Sequence, residues 1–368
     1  MNRKAFKYRL YPTHAQETIL RDTLETCRGV YNSLLHERTH DYEVFGKSPS
    51  RLVQQAHLPV WKKTHPELSG VYSQVLQDVV RRIDLALESF FRRVALGEEP
   101  GSPRFKGKGR YKSLTYPQLG FSIGEGSVTL SKIGTIKAVL HRPVEGTVKS
   151  CTVRREGEKW YVTFSCEVQE QPPPPSDEQV GIDVGLNQFA ALSNGEMIEN
   201  PRFYRREEKA LAKAQRKFDK VKNKHRSKAR RKASKVVCRV NERIKNRRHD
   251  FVHQTARKIV NRFGLIAVEE LQVDNMVRNH HLAKSISDAG WSMFRAVLAS
   301  KAESADRKVI AVNPAYTSQD CSECGFRVRK TLSVRVHVCP CCGLVLDRDT
   351  NSARIILKIA IGQYSVPA

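Results

Sequence analysis

The chain has 368 residues and carries 64 Lys and Arg against 38 Asp and Glu, a formal charge of +26, with 40% hydrophobic residues. That apolar fraction can fill real cores and excludes wholesale disorder, the length allows two or three domains, and no uninterrupted apolar run of about 18 residues is present to span a membrane. A positive surplus of this size repels itself unless a polyanion neutralises it, so nucleic acid is the first partner to consider, with a merely soluble basic protein as the alternative.

Along the chain, Met1–Leu10 has charges recurring where a signal peptide needs its apolar stretch, so the protein is expected in the cytoplasm. Strands are expected over 3–11, 121–140 and 147–168, and helices over 13–40 and 70–96. Thr152–Arg155 and Trp160–Cys166 alternate well enough to pair antiparallel around the turn Glu156-Gly157-Glu158. The first half therefore reads as a small barrel with helices inserted into it. Between the pieces, Gly101–Tyr111 is a flexible basic loop with two aromatics; its Arg104, Lys106 and Lys108 suit phosphate contact with base stacking, or else simply a solvated loop. Four consecutive prolines in 171–178 can join neither a helix nor an interior strand and mark a linker.

Beyond the linker the pattern becomes strands separated by helices. Val180–Leu186 is a strand ending in a turn, Phe189–Leu192 its antiparallel neighbour. Residues 201–250 then hold 21 Lys and Arg against five acidic residues, a net of +16. Leu211, Ala214, Phe218 and Val221, and later Val237, Val240 and Ile244, recur at helical spacing, giving two helices with narrow apolar seams and broad basic faces. Solvated helix faces ordinarily mix both signs; this one scarcely does, which favours nucleic-acid contact through Lys224, Arg226, Arg230, Arg231, Arg247 and Arg248. A helix around 250–262, the strand 264–270, a helix near 290–305 and the strand 308–312 follow, an order that suits a ribonuclease-H-like sheet.

Five of the nine cysteines fall within 22 residues. Cys321-Ser-Glu-Cys324-Gly325 and Cys339-Pro-Cys-Cys342-Gly343 are two C-x2-C-G knuckles, each able to present two thiolates to one tetrahedral ion, and the pair reads as a structural zinc site without an open position. Cys341 competes with Cys339 or Cys342 for the fourth place; the repeat favours 339 and 342. Asp183, among Val180, Ile182 and Val184, must lie at an exposed strand end, find a partner or bind metal, because an unpaired buried carboxylate costs several kcal/mol. Glu269 poses the same question at the end of the second apolar strand. Asp349 poses it before the helix carrying Ala353, Ile356 and Leu357, where Asp347 or Asp349 could simply cap. Three acids on two strands and a closing helix can converge at one end of a sheet and hold two divalent ions roughly 3.5–4 Å apart for phosphodiester hydrolysis.

These residues resemble the TnpB proteins of insertion sequences, compact RNA-guided DNA nucleases related to type V CRISPR effectors. The resemblance runs through Phe6–Pro12, Arg28–Asn32, Gly101–Lys106, Gly181-Ile-Asp-Val-Gly185, Glu269-Glu-Leu271, Asp274-Asn-Met276, Ser285–Trp291, both knuckles and Asp347–Asn351. It implies an α+β multidomain chain: an oligonucleotide-binding-type β-barrel (1–12 and 98–170), an inserted helical recognition lobe (13–97), the linker 171–178, and a RuvC-like nuclease domain (179–318 and 344–360) interrupted by a zinc-binding module (319–343), with 361–368 as a tail. It assigns the catalytic acids and Mg²⁺ ligands to Asp183, Glu269 and Asp349. Ser73, Gln74, Gln77 and the loop residues Ser113, Thr115 and Tyr116 fall where the family reads a short motif beside its target. The partners it implies are a structured guide RNA from the transposon end and double-stranded target DNA, held by a monomer, with no membrane. A nuclease-dead RNA-guided repressor and an unguided ribonuclease-H-like transposase or resolvase are the competing expectations.

Overall fold

The structure is a computed structural model that describes residues 2–169, 172–221, 227–331 and 334–364. It divides into two compact units, residues 1–170 and 171–368, and the proline segment falls at their junction.

The first unit begins with β1 (Asn2–Tyr11). Three helices follow: α1 (His14–Phe45), α2 (Arg51–Thr64) and, after a short 3-10 turn, α3 (Ser73–Ala95). Thr13 and Gln16 form a reciprocal capping box that starts α1, and Gly46, in a left-handed conformation at φ 65°, ends it. The chain then forms β2 (Ser113–Tyr116), β3 (Phe121–Gly124), β4 (Ser127–Leu130), β5 (Gly134–Val139), β6 (Thr147–Glu156) and β7 (Lys159–Val168). These build one antiparallel sheet in the order β2-β6-β7-β1-β5-β4-β3. The expected β6–β7 hairpin pairs Arg155 with Trp160 around Gly157. Alternation in β7 buries Trp160, Val162, Phe164, Cys166 and Val168 on one face. That face joins Phe6, Tyr8 and Leu10 of β1 and the inner sides of α1 and α3 in a single core. As hydrogen-bonded, the ladder is open between β2 and β3; Tyr116 Oη, donating to Ser131 O at 3.0 Å, draws the β2 end toward the end of β4. The α2 helix and the short β2 strand were not expected. Pro59 sits inside α2 and polar residues border β2, so neither announces itself by periodicity.

The second unit opens with β8 (Gln179–Val184), β9 (Gln188–Leu192) and β10 (Met197–Glu199), then α4 (Phe203–Lys220) and α5 (Lys228–Arg262). What reads in sequence as a separate helix over 250–262 is the continuation of α5, a 35-residue helix. Then come β11 (Leu265–Glu269), α6 (Val273–Met276), α7 (Ala283–Ala289), α8 (Trp291–Ser304), β12 (Lys308–Val312), β13 (Val336–Val338), β14 (Val345–Asp347) and α9 (Arg348–Ala360). The main sheet runs β10-β9-β8-β11-β12, with β8, β11 and β12 parallel and β9 and β10 antiparallel. Parallel strands are covered on both faces. Val180, Ile182, Ile266 and Val268 pack against Val252, Ile259, Phe294 and Leu298 of α5 and α8, while Ala267 and Val312 meet Ile356 of α9 on the other side. No helix among the described residues is long and apolar enough to cross a membrane.

Candidate active site and metal centre

Side chains alternate across a strand, so Gly181 and Asp183 share the α9 face of β8, and Ala267 and Glu269 share that face of β11. The parallel register sets Ala267 beside Gly181 and Val268 beside Ile182, so Asp183 and Glu269 come next, side by side at the C-terminal ends of the two strands. The third acid depends on a missing side chain. A Cβ on Gly181 would lie 2.0 Å from Ala353 O and 2.9 Å from Leu357 N; only glycine lets α9 lie this close to β8. Asp349 is one turn before Ala353 on the same helix face, about 6 Å back along the axis. Asp183 is two residues past Gly181 on the strand, about 6.6 Å on. The closing helix therefore lays Asp349 against the two strand acids.

Electrostatics register this convergence. Burial pushes the Asp183 carboxyl well above the ordinary carboxylate range, and the neighbouring Glu269 and Asp349 charges push it the same way. Glu269 is raised by burial and by Asp349, against the lowering effect of the Thr317 hydroxyl, which lies 2.6 Å from Glu269 Oε1. Arg348 approaches Asp349 Oδ1 with Nε at 3.0 Å and Nη2 at 2.8 Å, and Arg335 lies 3.8 Å from Oδ2. The capping question resolves by division of labour: Asp347 accepts from the N–H groups of Asp349 and Thr350 at 2.9 and 3.0 Å, which leaves the Asp349 carboxylate turned to the other acids. The donor set is all oxygen, the kind that suits a hard divalent cation, but the three carboxylates are not drawn as close together as the sulfurs of the cysteine knuckles, and Asp349 is held by Arg348 and Arg335.

The four sulfurs of Cys321, Cys324, Cys339 and Cys342 all lie within 4.8 Å of one another, and such a soft donor set fits a tetrahedral zinc-type ion. Cys341 is exposed and stands outside the cluster, so the fourth place falls to Cys342. The knuckle is tied to α9: Asn351 accepts from Ser322 N at 2.9 Å and donates to Asp320 O at 2.8 Å, and Lys358 donates to Ser322 O. Asp320 in turn takes Arg327 and the Tyr364 hydroxyl.

The remaining expected contacts divide. Gln77, Arg104, Lys108, Arg231 and Arg247 are exposed, although Arg247 also pairs with Glu207 at 3.1 Å. Arg230 lies over the Phe218 ring. Ser73 accepts from Lys62 Nζ, and Gln74 accepts from Leu119 N. Lys224 and Arg226 lie outside the described residues.

Three expectations need correction. Tyr116 is 1% exposed and stacks on Tyr72, so its ring belongs to the core and not to a surface. Thr115 is buried beneath Arg82, which donates to it at 2.8 Å and to both Ser113 O and Ser113 Oγ. Arg248 is spent inside the fold: it pairs at 2.9 Å with buried Asp288, which also caps α4 by accepting from Tyr204 N and Arg205 N.

The basic loop is likewise less free than its composition suggests. Asn32 bonds both the N–H and the C=O of Lys106, and Tyr111 is buried against Tyr31, leaving Phe105 as its exposed aromatic. Gly181, Thr317 and Asp288 do not stand out in the sequence as site residues; only the glycine, two residues before an acid at a strand end, carries a visible signal.

A two-unit α+β chain with an acid cluster closing one sheet and a cysteine knuckle braced on its last helix is the architecture of a compact nucleic-acid-processing protein. Residues 163–280 match a family profile described as "Probable transposase" (OrfB of IS605 type), 291–356 match a Cas12f1-like TNB domain, and 1–47 match a helix-turn-helix domain profile. In this chain the last span is one strand and one long helix. A Streptomyces pristinaespiralis protein named "Putative RNA-guided DNA endonuclease" is 35% identical over 98% of this chain and 90% of its own length. InsQ of Escherichia coli K12, of the same description, is 33% identical over 96% and 91%. A solved mini-RNA-guided endonuclease, CRISPR-Cas_phi3, shares the fold at a TM-score of 0.51 and 10% identity, covering 100% of this chain and 93% of its own. The chain belongs to the TnpB family, the OrfB proteins of IS605-type insertion sequences.

Proposed function

We propose that the protein is an RNA-guided DNA endonuclease that cleaves phosphodiester bonds with Asp183, Glu269 and Asp349. The observation that carries this reading is the approach of three carboxylates at one end of the β8–β11 pair, at the cost of raised pKa values for Asp183 and Glu269. Mg²⁺ ions bound at these oxygens would supply an activated water and stabilise the leaving 3′ oxygen. The chain's own part is positional. The β8–β11 register fixes two acids, Gly181 admits the helix that brings the third, and Thr317 and Arg348 orient Glu269 and Asp349. In this reading the first unit is a barrel with an inserted recognition lobe, the second a RuvC-like domain, and Cys321, Cys324, Cys339 and Cys342 hold one structural zinc. A guide RNA neutralises the basic faces of α4 and α5, and base pairing selects the target. Asp183→Ala, loaded with its guide RNA, is expected to bind a programmed target and leave it uncut across a Mg²⁺ titration, read on a denaturing gel; metal-dependent cleavage by that variant would overturn the assignment.

A further inference from the structure

Residues 101–112 connect α3 to β2 with neither helix nor strand, and no part of the chemistry above uses them. The segment is nevertheless fastened along its length. Arg93 Nη2 donates to Gly101 O at 3.4 Å, and Lys112 O accepts from Arg155 N at 2.9 Å. Between these ends, three residues on one face of α1, Glu25, Arg28 and Asn32, grip the backbone. Asn32 closes a pair of hydrogen bonds with the Lys106 N–H and C=O at 2.8 and 3.1 Å, Arg28 Nη1 adds another to Lys106 O at 3.0 Å, and Glu25, paired with Arg28 at 2.7 Å, faces the Gly109 N–H. Lys106 lies over the Tyr31 ring, with buried Tyr111 beside it. The side chains that this grip leaves facing solvent are Phe105, 59% exposed, with Arg104, Lys108 and Arg110 around it. Residues 104–112 carry five cations and no acid. Fixing the backbone of one residue costs about 1–2 kcal/mol. A merely solvated loop gains nothing from that ordering, whereas a loop that meets a ligand gains affinity, because the cost is met before binding.

We propose that the gripped loop 104–110 holds one unpaired base of the opened target DNA, with Phe105 stacked on the base and Arg104, Lys108 and Arg110 on the phosphates either side of it. The inference rests on the reading of the protein as RNA-guided. Three observations select this occupant. An exposed ring among cations of one sign, with no acid between them, matches a stacked base within a phosphate chain and not an apolar protein surface. A base has to be unpaired to give its face to a side chain, so the contact belongs to opened strands and not to intact duplex. A phenyl face accepts any base and reads none, which suits a strand whose sequence changes with every guide over an RNA scaffold of fixed sequence.

The test is equilibrium binding of a programmed duplex by the guide-RNA complex in an Asp183→Ala background, with one abasic residue moved stepwise along each target strand. With Phe105 present, the dissociation constant is expected to rise about tenfold at one position, the loss of one stacked base. Phe105→Ala is expected to bind intact target about tenfold more weakly and to show no further loss at that position, because variant and abasic site remove one interaction, while losses elsewhere multiply. Phe105→Trp, which keeps an aromatic face, is expected to bind as Phe105 does. Losses that multiply at every position, or an unchanged affinity for Phe105→Ala, would overturn the proposal, as would an equal loss of affinity for guide RNA alone, which would place the ring on RNA. Should Phe105→Ala fail to fold, judged by its melting curve, Arg104→Ala replaces it: the plot of log target affinity against log salt is expected to flatten by about 1 unit, and an unchanged slope overturns the proposal. A failure of the underlying reading looks different, since the complex with Phe105 intact would then bind programmed and scrambled targets alike.

Discussion

Asp183 and Glu269 show what it costs to gather carboxylates before a cation is bound. Asp183 is raised by burial and by Glu269 and Asp349, and Glu269 by burial and by Asp349, so the folded chain holds protons that the unfolded chain has released once pH exceeds the unfolded values near 4. The sign follows: metal-free stability falls as pH rises from that range through the raised folded values. Asp183→Asn, which keeps the shape and removes the charge, is expected to melt about 2–4 °C higher than wild type in EDTA at neutral pH, to lose the stabilisation that Mg²⁺ gives the wild type, and to leave DNA uncut. Differential scanning fluorimetry with and without Mg²⁺ reads the first two. Thr317 works in the opposite direction, since its hydroxyl favours the ionised form of Glu269. With Thr317→Val the acidic limb of the pH–rate profile for cleavage should move to higher pH, and the Mg²⁺ concentration for half-maximal rate should rise; an unchanged profile would show that the contact only packs the loop.

At the level of elements, α9 is where metal centre and acid cluster communicate. Its Asn351 and Lys358 grip the backbone of the first knuckle, while Ala353 lies on Gly181 and Asp349 faces the strand acids. Losing the cysteine-bound ion should therefore disturb Asp349, which follows Cys342 closely in the chain, as well as the knuckle itself. Cys342→Ser is expected to purify without stoichiometric zinc and with cleavage reduced at least about tenfold, and Cys341→Ser, changed at an exposed thiol outside the cluster, with both intact; metal content by mass spectrometry separates them. Here the sequence is informative to different depths. The C-x2-C-G repeat names the four ligands because knuckle geometry is local. The role of Asp288 in capping α4 while pairing with Arg248 is hidden, since those partners lie 84 and 40 residues away along the chain. The basic run misleads at Arg248 for the same reason: charge density says how many cations a helix has, not which one turns inward.

For the whole molecule, the surplus of +26 is the governing quantity, and α4 and α5 carry much of it on side chains that remain exposed. Reversal at two of these, Arg231→Glu with Lys232→Glu, is expected to weaken guide-RNA retention and to flatten the plot of log affinity against log salt by about 1–2 units, as two phosphate contacts are lost. Filter binding across a salt series measures it, and an unchanged slope would place the RNA elsewhere.

The sequence by itself pointed to a polyanionic partner, most strands and helices, the four clustered cysteines and the three acids to consider. All of these follow from composition, from periods of 2 and 3.6, or from spacing within one turn, quantities that the chain carries locally. Tertiary structure decided the rest. The β8–β11 register and the α9 crossing at Gly181 bring acids separated by 86 and 80 residues together, Tyr72 and Arg82 cover Tyr116 and Thr115 within the first unit, and Asp288 draws Arg248 away from the surface in the second. Burial and proximity are properties of packed elements, set by which face meets which, and no single segment of the sequence encodes them.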